Sequence, residues 1–334
     1  MTVDRRTFLL GTAGTAVALN VFSCAARDAT TRGQGRRFKF VHVDVFTSRP
    51  FLGNPLDVFL DARGLSDAEM LAVARETYLS ETTFVFPRDA ATERERGVRV
   101  RIFGPDGEIP FAGHPTLGTA TVLRNLWSVS AAAKLDEVVL DLNVGKVPVR
   151  FRSDASGPAF GEMQQPPPTF GAVHDRAAIA ELHNLLPDDI AEDGPIQTIS
   201  TGLRFAIVPL KRLAALQALR IDAEKMTAYL AKQEPYLNFY YVTRDTGEAG
   251  VTLRARAVYV GGEDAATGSA AGCTAAWMVR YGVSPPEQSV HIRQGVEMKR
   301  TSDLFVRASL DGDRIANVRV GGHAVQTMEG VVTL

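Results

Sequence analysis

Two short glycine-rich stretches organise this chain: FAGHPTLG at residues 111–118 and GGEDAATGSAAG at residues 261–272. Each follows an apolar, β-branched run that predicts a strand, and each precedes an Ala- and Leu-rich run that predicts a helix. Glycine lets the backbone come close to a ligand, and the start of a helix offers unpaired N–H groups to an anion. The two stretches therefore predict two halves that face one cleft.

Outward from these stretches, the second half of the chain repeats the first. Phe84 and Phe239 lie 155 residues apart in matching predicted strands, and Ala112 and Ala266 lie 154 residues apart in the glycine-rich stretches. A steady offset indicates duplication of one strand-rich unit with a central helix. The pattern predicts two similar domains.

The predicted boundaries place the first domain at residues 38–163 and the second at residues 164–322. The last run, residues 323–334, is a candidate to return to the first domain. Ser66 is expected to cap a helix that ends near Thr77.

Two polar segments of the first domain read as connections. The charged residues 88–96 predict a hairpin loop, and GPDG at residues 104–107 predicts only a turn.

Residues 1–37 are expected to form an export signal and a flexible tether. Arg5 and Arg6 precede an apolar run too short to span a membrane comfortably, and the pattern resembles a twin-arginine signal. VFSC at residues 21–24 resembles a lipoprotein cleavage box, so Cys24 is a candidate for lipidation and membrane anchoring, with plain cleavage near Ala25 as the alternative. The protein is expected in the periplasm, or in the cytoplasm if the signal is not used.

Composition excludes several classes of function. The 334 residues carry a net charge of -1 without an evident basic stripe, so nucleic acid is not an expected partner. Two Cys and six His, with no Cys-x-x-Cys or His-x-x-x-His spacing, argue against a metal site. Neither glycine-rich stretch contains Gly-x-Gly-x-x-Gly, so no dinucleotide cofactor is expected.

Glu81 is the strongest candidate for chemistry. It lies at a predicted helix-to-strand corner, beside the hydroxyl groups of Ser80 and Thr82 and close to apolar Phe84. A partly desolvated carboxyl has a raised pKa and can shuttle a proton near neutral pH. The alternative is a solvated loop glutamate.

Three further candidates lie in the glycine-rich stretches. His114 precedes Pro115, which sets the chain direction at the helix start, so the imidazole could point into the cleft; a core histidine is the alternative. Asp264 lies where a Gly-Gly turn meets the second stretch, and a turn or helix cap is its alternative role. Ser269, at the second helix start, could hold a carboxylate through its hydroxyl or N–H group.

At these residues the sequence resembles the PhzF-like family, the isomerases of phenazine biosynthesis and their relatives. The similarity runs from about Phe40 to the C-terminus. The motifs that carry it are VDVF at 43–46, GNP at 53–55, LSETTF at 79–84, PFAGHPTLGTA at 110–120, DAATGSAAG at 264–272, QGVEM at 294–298 and VGG at 320–322.

The resemblance implies a diaminopimelate-epimerase-like α+β fold with two pseudo-repeated domains, each a β-barrel-like sheet around a central helix, and a site between them. It also implies a homodimer and a cofactor-independent reaction in which one Glu, here Glu81, moves a proton between carbons. The positions that assist this Glu are matched by His114 and Asp264, and those that hold the substrate by Gly113, Gly268 and Ser269.

The sequence departs from the family and its relatives at several positions. Related epimerases use two cysteines, which Ala112 and Ala266 replace here, while Cys273 has no partner; one-carboxyl isomerisation is therefore favoured over thiol racemisation. The family's Met-Gly-Arg-Pro-Ser appears as MKRTS at residues 298–302, a change expected at the substrate rim, and Ala265 replaces a proline. Export would also separate the protein from the phenazine-type intermediate, which is made inside the cell.

We therefore expect a cofactor-independent isomerase that acts on a small unsaturated carboxylate. Glu81 would take a proton from one carbon and return it elsewhere on the same face of the substrate. Two alternatives remain: an amino or hydroxy acid racemase or epimerase of the same superfamily, and a non-catalytic periplasmic binding protein.

Overall fold

A computed structural model of the chain describes residues 35–130, 136–153, 157–235 and 237–334. For residues 129 and 130 it describes the helical backbone but not the side chains. The predicted export signal, the lipidation of Cys24 and most of the tether fall on residues 1–34, outside these ranges.

The described elements of the first half are, in order, β1 (Arg37–Val45), β2 (Asn54–Phe59), α1 (Asp67–Thr77), β3 (Thr82–Phe86), α2 (Ala90–Arg96), β4 (Val98–Gly104), β5 (Gly107–Ile109), α3 (Gly113–Ser130), β6 (Glu137–Leu142), β7 (Gly145–Arg152) and β8 (Phe160–Gln164).

Those of the second half are β9 (Thr169–Val173), α4 (Arg176–Leu182), a 3₁₀-helix (Pro187–Asp189), β10 (Gln197–Ser200), β11 (Arg204–Leu210), α5 (Leu213–Ala218), α6 (Ala223–Leu230), β12 (Leu237–Thr243), β13 (Leu253–Tyr259), β14 (Gly262–Asp264), α7 (Gly268–Arg280), β15 (Val290–Gln294), β16 (Ser302–Asp311), β17 (Arg314–Gly322) and β18 (Ala324–Thr333).

Strand pairing follows the same order in both halves. In the first half β1–β2 is antiparallel, β2–β3 parallel, β3–β4 antiparallel and β4–β6 parallel, and β6, β7 and β8 then pair antiparallel in turn. In the second half β10–β11, β11–β12, β12–β13, β13–β15, β15–β16 and β16–β17 repeat this alternation. The predicted duplication is therefore visible in the topology.

The ends of the two halves are exchanged. β8 pairs antiparallel with β17, which joins the halves into one mixed sheet. β9 comes directly after the repeated strands β1–β8 but pairs with β10, and β18 comes directly after the repeated strands β10–β17 but pairs with β1 along nearly its whole length. The domain boundaries drawn from the sequence stay a prediction.

The two glycine-rich stretches open the central helices α3 and α7, as predicted. Every residue of α7 from Gly268 to Met278 is buried. A Cβ at Gly118 would lie 2.7 Å from side-chain atoms of both Leu56 and Val45, so the missing side chain lets α3 pack directly on β1 and β2. Burial of these apolar surfaces is the main stabilising term of the fold.

The outer helices test two local predictions. Ser66 caps α1 and forms a capping box with Glu69, which confirms the expected helix start. The hairpin loop predicted at residues 88–96 is wrong, because residues 90–96 form α2, capped by the Asp89 carboxylate. No residue of α2 is buried, so the segment lacked the apolar periodicity that identifies a helix.

Within the described ranges, no helix combines the length and apolar character needed to cross a membrane.

Candidate active site

A cleft of about 460 Å³ collects the residues singled out from the sequence. The first half contributes the segment before β3, the β4–β5 hairpin and the start of α3. The second half contributes parts of β12, β13 and the start of α7. The candidates that line the cleft are Glu81, Gly113, His114, Asp264, Gly268 and Ser269.

The starts of α3 and α7 meet at two glycines. A Cβ added to Gly113 would lie 2.6 Å from the Gly268 Cα and 2.7 Å from the Ser269 backbone nitrogen. A Cβ at Gly268 would in turn lie 3.1 Å from the Gly113 Cα. Only glycine fits at Gly113, because the atoms in the way belong to the backbone and cannot turn aside.

The first N–H groups of α7 are open to a ligand. The residue before the helix, Thr267, makes no side-chain cap; its hydroxyl donates instead to the Asp264 carboxylate at 2.7 Å. Neither α3 nor α7 has an acidic residue in its first turn. Two helix starts without negative side chains form a favourable environment for a carboxylate ligand.

Glu81 lies directly before β3, and only 19% of its side chain is exposed. Its Oε2 lies 3.5 Å from the His114 Nε2, and neither atom has a hydrogen-bond partner among the described residues. Burial and, second, the nearby Asp264 carboxylate raise the pKa of Glu81 to about 8, with the Ser80 hydroxyl acting in the opposite direction. The carboxyl is therefore suited to accept and donate a proton near neutral pH.

His114 is a buried, neutral imidazole in the first turn of α3. Burial lowers its pKa to about 3. Its Nδ1 lies 3.1 Å from the Asn54 amide nitrogen, and its Nε2 is directed toward Glu81. The ring can therefore act as a hydrogen-bonding group in the cleft without carrying a charge.

Asp264 ends β14 and accepts a hydrogen bond on each oxygen. Asn54 donates to Oδ1 at 2.7 Å and Thr267 donates to Oδ2 at 2.7 Å. Burial raises the pKa of Asp264 to about 6, and these two donors limit the rise. Because these donors favour the charged form, Asp264 loses its proton at a lower pH than Glu81.

Two supporting residues were not singled out as candidates from the sequence. Asn54 belongs to the GNP turn that forms part of the family resemblance, and no role was predicted for it, yet it contacts both His114 and Asp264. Gln294 is fully buried, donates to the Asp264 carbonyl at 2.8 Å and accepts from the Thr267 N–H at 3.0 Å. Both residues lie in motifs that carry the family resemblance, but no local pattern predicts their contacts, since their partners are distant in sequence.

Two hairpins at equivalent positions flank the cleft. The residues 104–107, interpreted as only a turn, line it from the β4–β5 hairpin, and Tyr259 lines it from the β13–β14 hairpin. Each hairpin is held by a two-point arginine–carboxylate pair: Arg101 with Glu108 at 2.9 and 2.5 Å, and Arg256 with Glu263 at 2.8 and 2.7 Å.

The segment MKRTS, expected at the substrate rim, lies elsewhere. None of residues 298–302 is among the described residues that line the cleft. Arg300 instead holds the turn before β2, donating to the carbonyls of Leu52 and Gly53 at 3.0 Å each. This segment therefore supports the cleft from behind.

The cleft lining contains no Lys or Arg among the residues that the structure describes. A substrate carboxylate would therefore be held by backbone N–H groups and hydroxyls.

The Cys273 thiol donates to the Ile199 carbonyl, and burial raises its pKa to about 12, so it is not a nucleophile here. No group of three or more His, Cys, Asp and Glu side chains in the described ranges could hold a metal ion.

Known proteins match this chain over most of its length. The model of the family described as phenazine biosynthesis-like protein (PhzC-PhzF) matches residues 43–330. A trans-2,3-dihydro-3-hydroxyanthranilate isomerase of Pseudomonas aeruginosa is 35% identical over 295 residues, covering 87% of this chain and 98% of that protein.

Solved structures agree with the sequence relatives. A phenazine biosynthesis protein of the PhzF family from Bacillus anthracis superposes with a TM-score of 0.78 at 25% identity, covering 90% of this chain and 100% of the other. A predicted epimerase from Pseudomonas aeruginosa superposes with a TM-score of 0.73 at 33% identity, covering 88% and 99%. The α+β, diaminopimelate-epimerase-like fold expected from the sequence is confirmed.

Proposed function

The chain belongs to the phenazine biosynthesis-like (PhzC-PhzF) family, and from that premise we propose that it moves a proton between carbons of a small unsaturated carboxylate, without a cofactor and with Glu81 as acid and base. The family's named members are isomerases and epimerases, so the chain is an enzyme of that class. The substrate and the role of each residue are the proposed part.

One observation carries the proposal: the Glu81 carboxyl, which has a higher pKa than Asp264 in the same cleft, lies beside a neutral imidazole. The Glu81 Oε2 and the His114 Nε2 lie 3.5 Å apart, and both atoms lack a hydrogen-bond partner among the described residues, which leaves these two atoms available to a substrate. Asp264 is held by two donors and lies at the back of the same site.

The proposed reaction conserves electrons and protons. The ionised Glu81 takes a proton from a carbon next to a double bond, and the electron pair of that C–H bond spreads into the conjugated system and the carboxylate. Glu81 then returns the proton to a different carbon, so the double bond moves and nothing is oxidised. The helix starts of α3 and α7 stabilise the negative charge that develops on the substrate carboxylate.

Thiol-based racemisation has little support at this site. Gly113 is the first residue of α3 and Gly268 is the first residue of α7. The residues directly before them, Ala112 and Thr267, therefore occupy equivalent positions. Thr267 therefore matches Ala112, which corrects the expectation of Ala266. Neither side chain carries a thiol, and a one-carboxyl mechanism fits these residues better.

The direct test compares Glu81→Gln with the wild-type chain in deuterated water. The probes are small unsaturated carboxylates, beginning with trans-2,3-dihydro-3-hydroxyanthranilate, for which the Pseudomonas relative is named. We expect wild type to move the double bond and, because the Glu81 carboxyl exchanges its proton with solvent before returning it, to introduce deuterium at the new C–H position, as followed by NMR. Glu81→Gln should lose conversion and label together, because an amide cannot exchange the proton.

Glu76→Gln is the matched control, since Glu76 is an exposed glutamate of nearby α1. It should leave turnover unchanged. Retained exchange in Glu81→Gln would refute the role of Glu81. Inversion of an α-carbon with label at that carbon would favour the racemase or epimerase alternative, and tight binding without exchange would favour a binding protein.

The remaining expectations rest on the sequence. Export through the paired arginines, a lipid on Cys24 and assembly as a homodimer stay predictions, as does periplasmic location.

A further inference from the structure

Asn54, the first residue of β2, contacts two candidate acid–base residues, His114 and Asp264, directly. It also contacts Ser80, the residue before Glu81. Its side-chain nitrogen lies 2.7 Å from the Asp264 Oδ1, 3.0 Å from the Ala266 carbonyl and 3.1 Å from the His114 Nδ1. Its Oδ1 faces the hydroxyl of Ser80, next to Glu81, at 3.5 Å. Only 2% of Asn54 is exposed.

The orientation of this amide follows from its partners. A carboxylate and a carbonyl can only accept hydrogen bonds, so the nitrogen must face them and the oxygen must face Ser80. An NH₂ group has two hydrogens, whereas three acceptors surround this one. The His114 contact is the longest of the three and therefore competes least well for a hydrogen.

The same contact decides where His114 carries its proton. A neutral imidazole has one N–H, and a proton on Nδ1 would face the Asn54 NH₂ group, which can donate a hydrogen bond but cannot accept one. The proton therefore belongs on Nε2. Since Nε2 lies 3.5 Å from the Glu81 Oε2, His114 presents a donor to Glu81 or to a substrate atom between them.

Asn54 is itself held firmly in place. Gly53 has φ +70, and a Cβ there would lie 2.3 Å from the Val45 carbonyl oxygen, so this turn requires glycine. The Gly53 N–H donates to the Thr301 carbonyl at 3.1 Å, and Arg300 binds the Gly53 carbonyl from the other side. The backbone turn that carries the buried Asn54 side chain is therefore fixed from both sides.

We propose that Asn54 is a positioning residue that holds His114 in the tautomer with its proton on Nε2 and links that ring to Asp264 of the other half. This role rests on the proposed function only where it concerns turnover. In the reaction, the neutral His114 Nε2–H is the donor that faces Glu81. The Asn54 amide sets the orientation of that ring through its contact with Nδ1.

The test reads the His114 tautomer directly in the full-length chain labelled with ¹⁵N-histidine. Long-range ¹H–¹⁵N correlation distinguishes the two neutral tautomers, and His114→Gln assigns the signal. We expect wild-type His114 to carry its proton on Nε2. In Asn54→Ala the single tautomer should be lost, and kcat should fall about 10- to 100-fold with little change in KM, as is usual when a residue that orients a reacting group is removed.

Asn125→Ala is the matched control, because Asn125 is exposed on α3, the helix that carries His114. It should change neither the tautomer nor kcat. A proton on Nδ1 in the wild type would overturn the proposal even if Asn54→Ala does not fold. Retention of the Nε2–H tautomer in a folded Asn54→Ala would overturn it too, because another group would then set the tautomer.

The two proposals fail separately. The tautomer is measured without substrate, so it does not depend on which residue moves the proton. If Glu81→Gln stays active while the tautomer behaves as expected, the role of Glu81 is refuted and that of Asn54 toward His114 stands.

Discussion

At the scale of single residues, the cleft contains two carboxyl groups whose surroundings push their pKa values apart. Asp264 receives two hydrogen bonds and remains the more acidic group, whereas Glu81 is buried beside it with one unpartnered oxygen. Near neutral pH, Asp264 is therefore mostly ionised and Glu81 mostly protonated. Such a pair is typical of acid–base sites in which one carboxyl exchanges a proton and the other stays charged.

This difference predicts the effect of Asp264→Asn on Glu81. The Asp264 charge raises the pKa of Glu81, so its removal lets Glu81 ionise at lower pH. The titration midpoint should move down from about 8, yet remain above the ordinary value of 4.5, because burial is the larger cause. The measurement is a ¹³C NMR titration of the Glu81 carboxyl, assigned with Glu81→Gln.

Asp106→Asn is the control for this titration. Asp106 lines the same cleft but is exposed at the tip of the β4–β5 hairpin. Its replacement should leave the midpoint in place. If the titration midpoint of Glu81 is the same in Asp264→Asn as in the wild type, the coupling between the two carboxyls is contradicted.

At the scale of elements, the two hairpins that flank the cleft share one construction. In each, an arginine on the longer strand binds a glutamate on the shorter strand at two points. The burial differs, however: Arg256 and Glu263 are 8% and 14% exposed, against 19% and 25% for Arg101 and Glu108. The β13–β14 hairpin also ends in Asp264, so its pair supports the candidate site directly.

The two pairs predict unequal costs for equivalent substitutions. Glu263→Ala leaves a buried guanidinium without its counter-charge and should lower the free energy of unfolding by about 3 kcal/mol. Glu108→Ala, the matched change in the other half, should cost about 1 kcal/mol or less, because Arg101 keeps Asp67 as a partner and is nearer to water. Denaturant unfolding of both variants measures the difference, and equal costs would contradict the argument from burial.

At the scale of the whole molecule, the halves meet backbone to backbone where α3 and α7 begin. The Gly113–Gly268 approach places the two helix starts on one cleft, so the spacing of the halves and the geometry of the site depend on the same contact. Any side chain at Gly113 must displace one helix start from the other.

Gly113→Ala should therefore separate the helix starts and weaken both the fold and the site. Overpacking against a backbone that cannot yield costs about 1–3 kcal/mol. Thermal unfolding should show the loss of stability, and turnover should fall because the N–H groups of the two helices no longer converge. Gly157→Ala is the control, since a Cβ at Gly157 meets no atom within 4 Å; a Gly113→Ala variant as stable as that control would refute the close approach.

Several features of the fold could be predicted because their causes are local. The glycines at the helix starts and the Ser66 cap of α1 each act on neighbouring backbone, and the structure has them where expected. The helix α2 was missed because none of its residues is buried, which leaves no apolar period to detect. The sequence was sufficient to select the candidate residues that line the cleft. Their roles in the chemistry stay predictions.

By itself the sequence determined the duplicated unit, the two helix starts and the set of candidate residues, since these depend on patterns within short segments. Only the tertiary structure decided which polar atoms share a partner. Asn54 donates to Asp264 and Ala266, which lie 210 and 212 residues away in the sequence. The same amide nitrogen faces the His114 Nδ1 and sets the tautomer of that ring. The physical reason is that a hydrogen bond depends on angstrom-scale placement, which arises where the two halves meet and which no local pattern encodes.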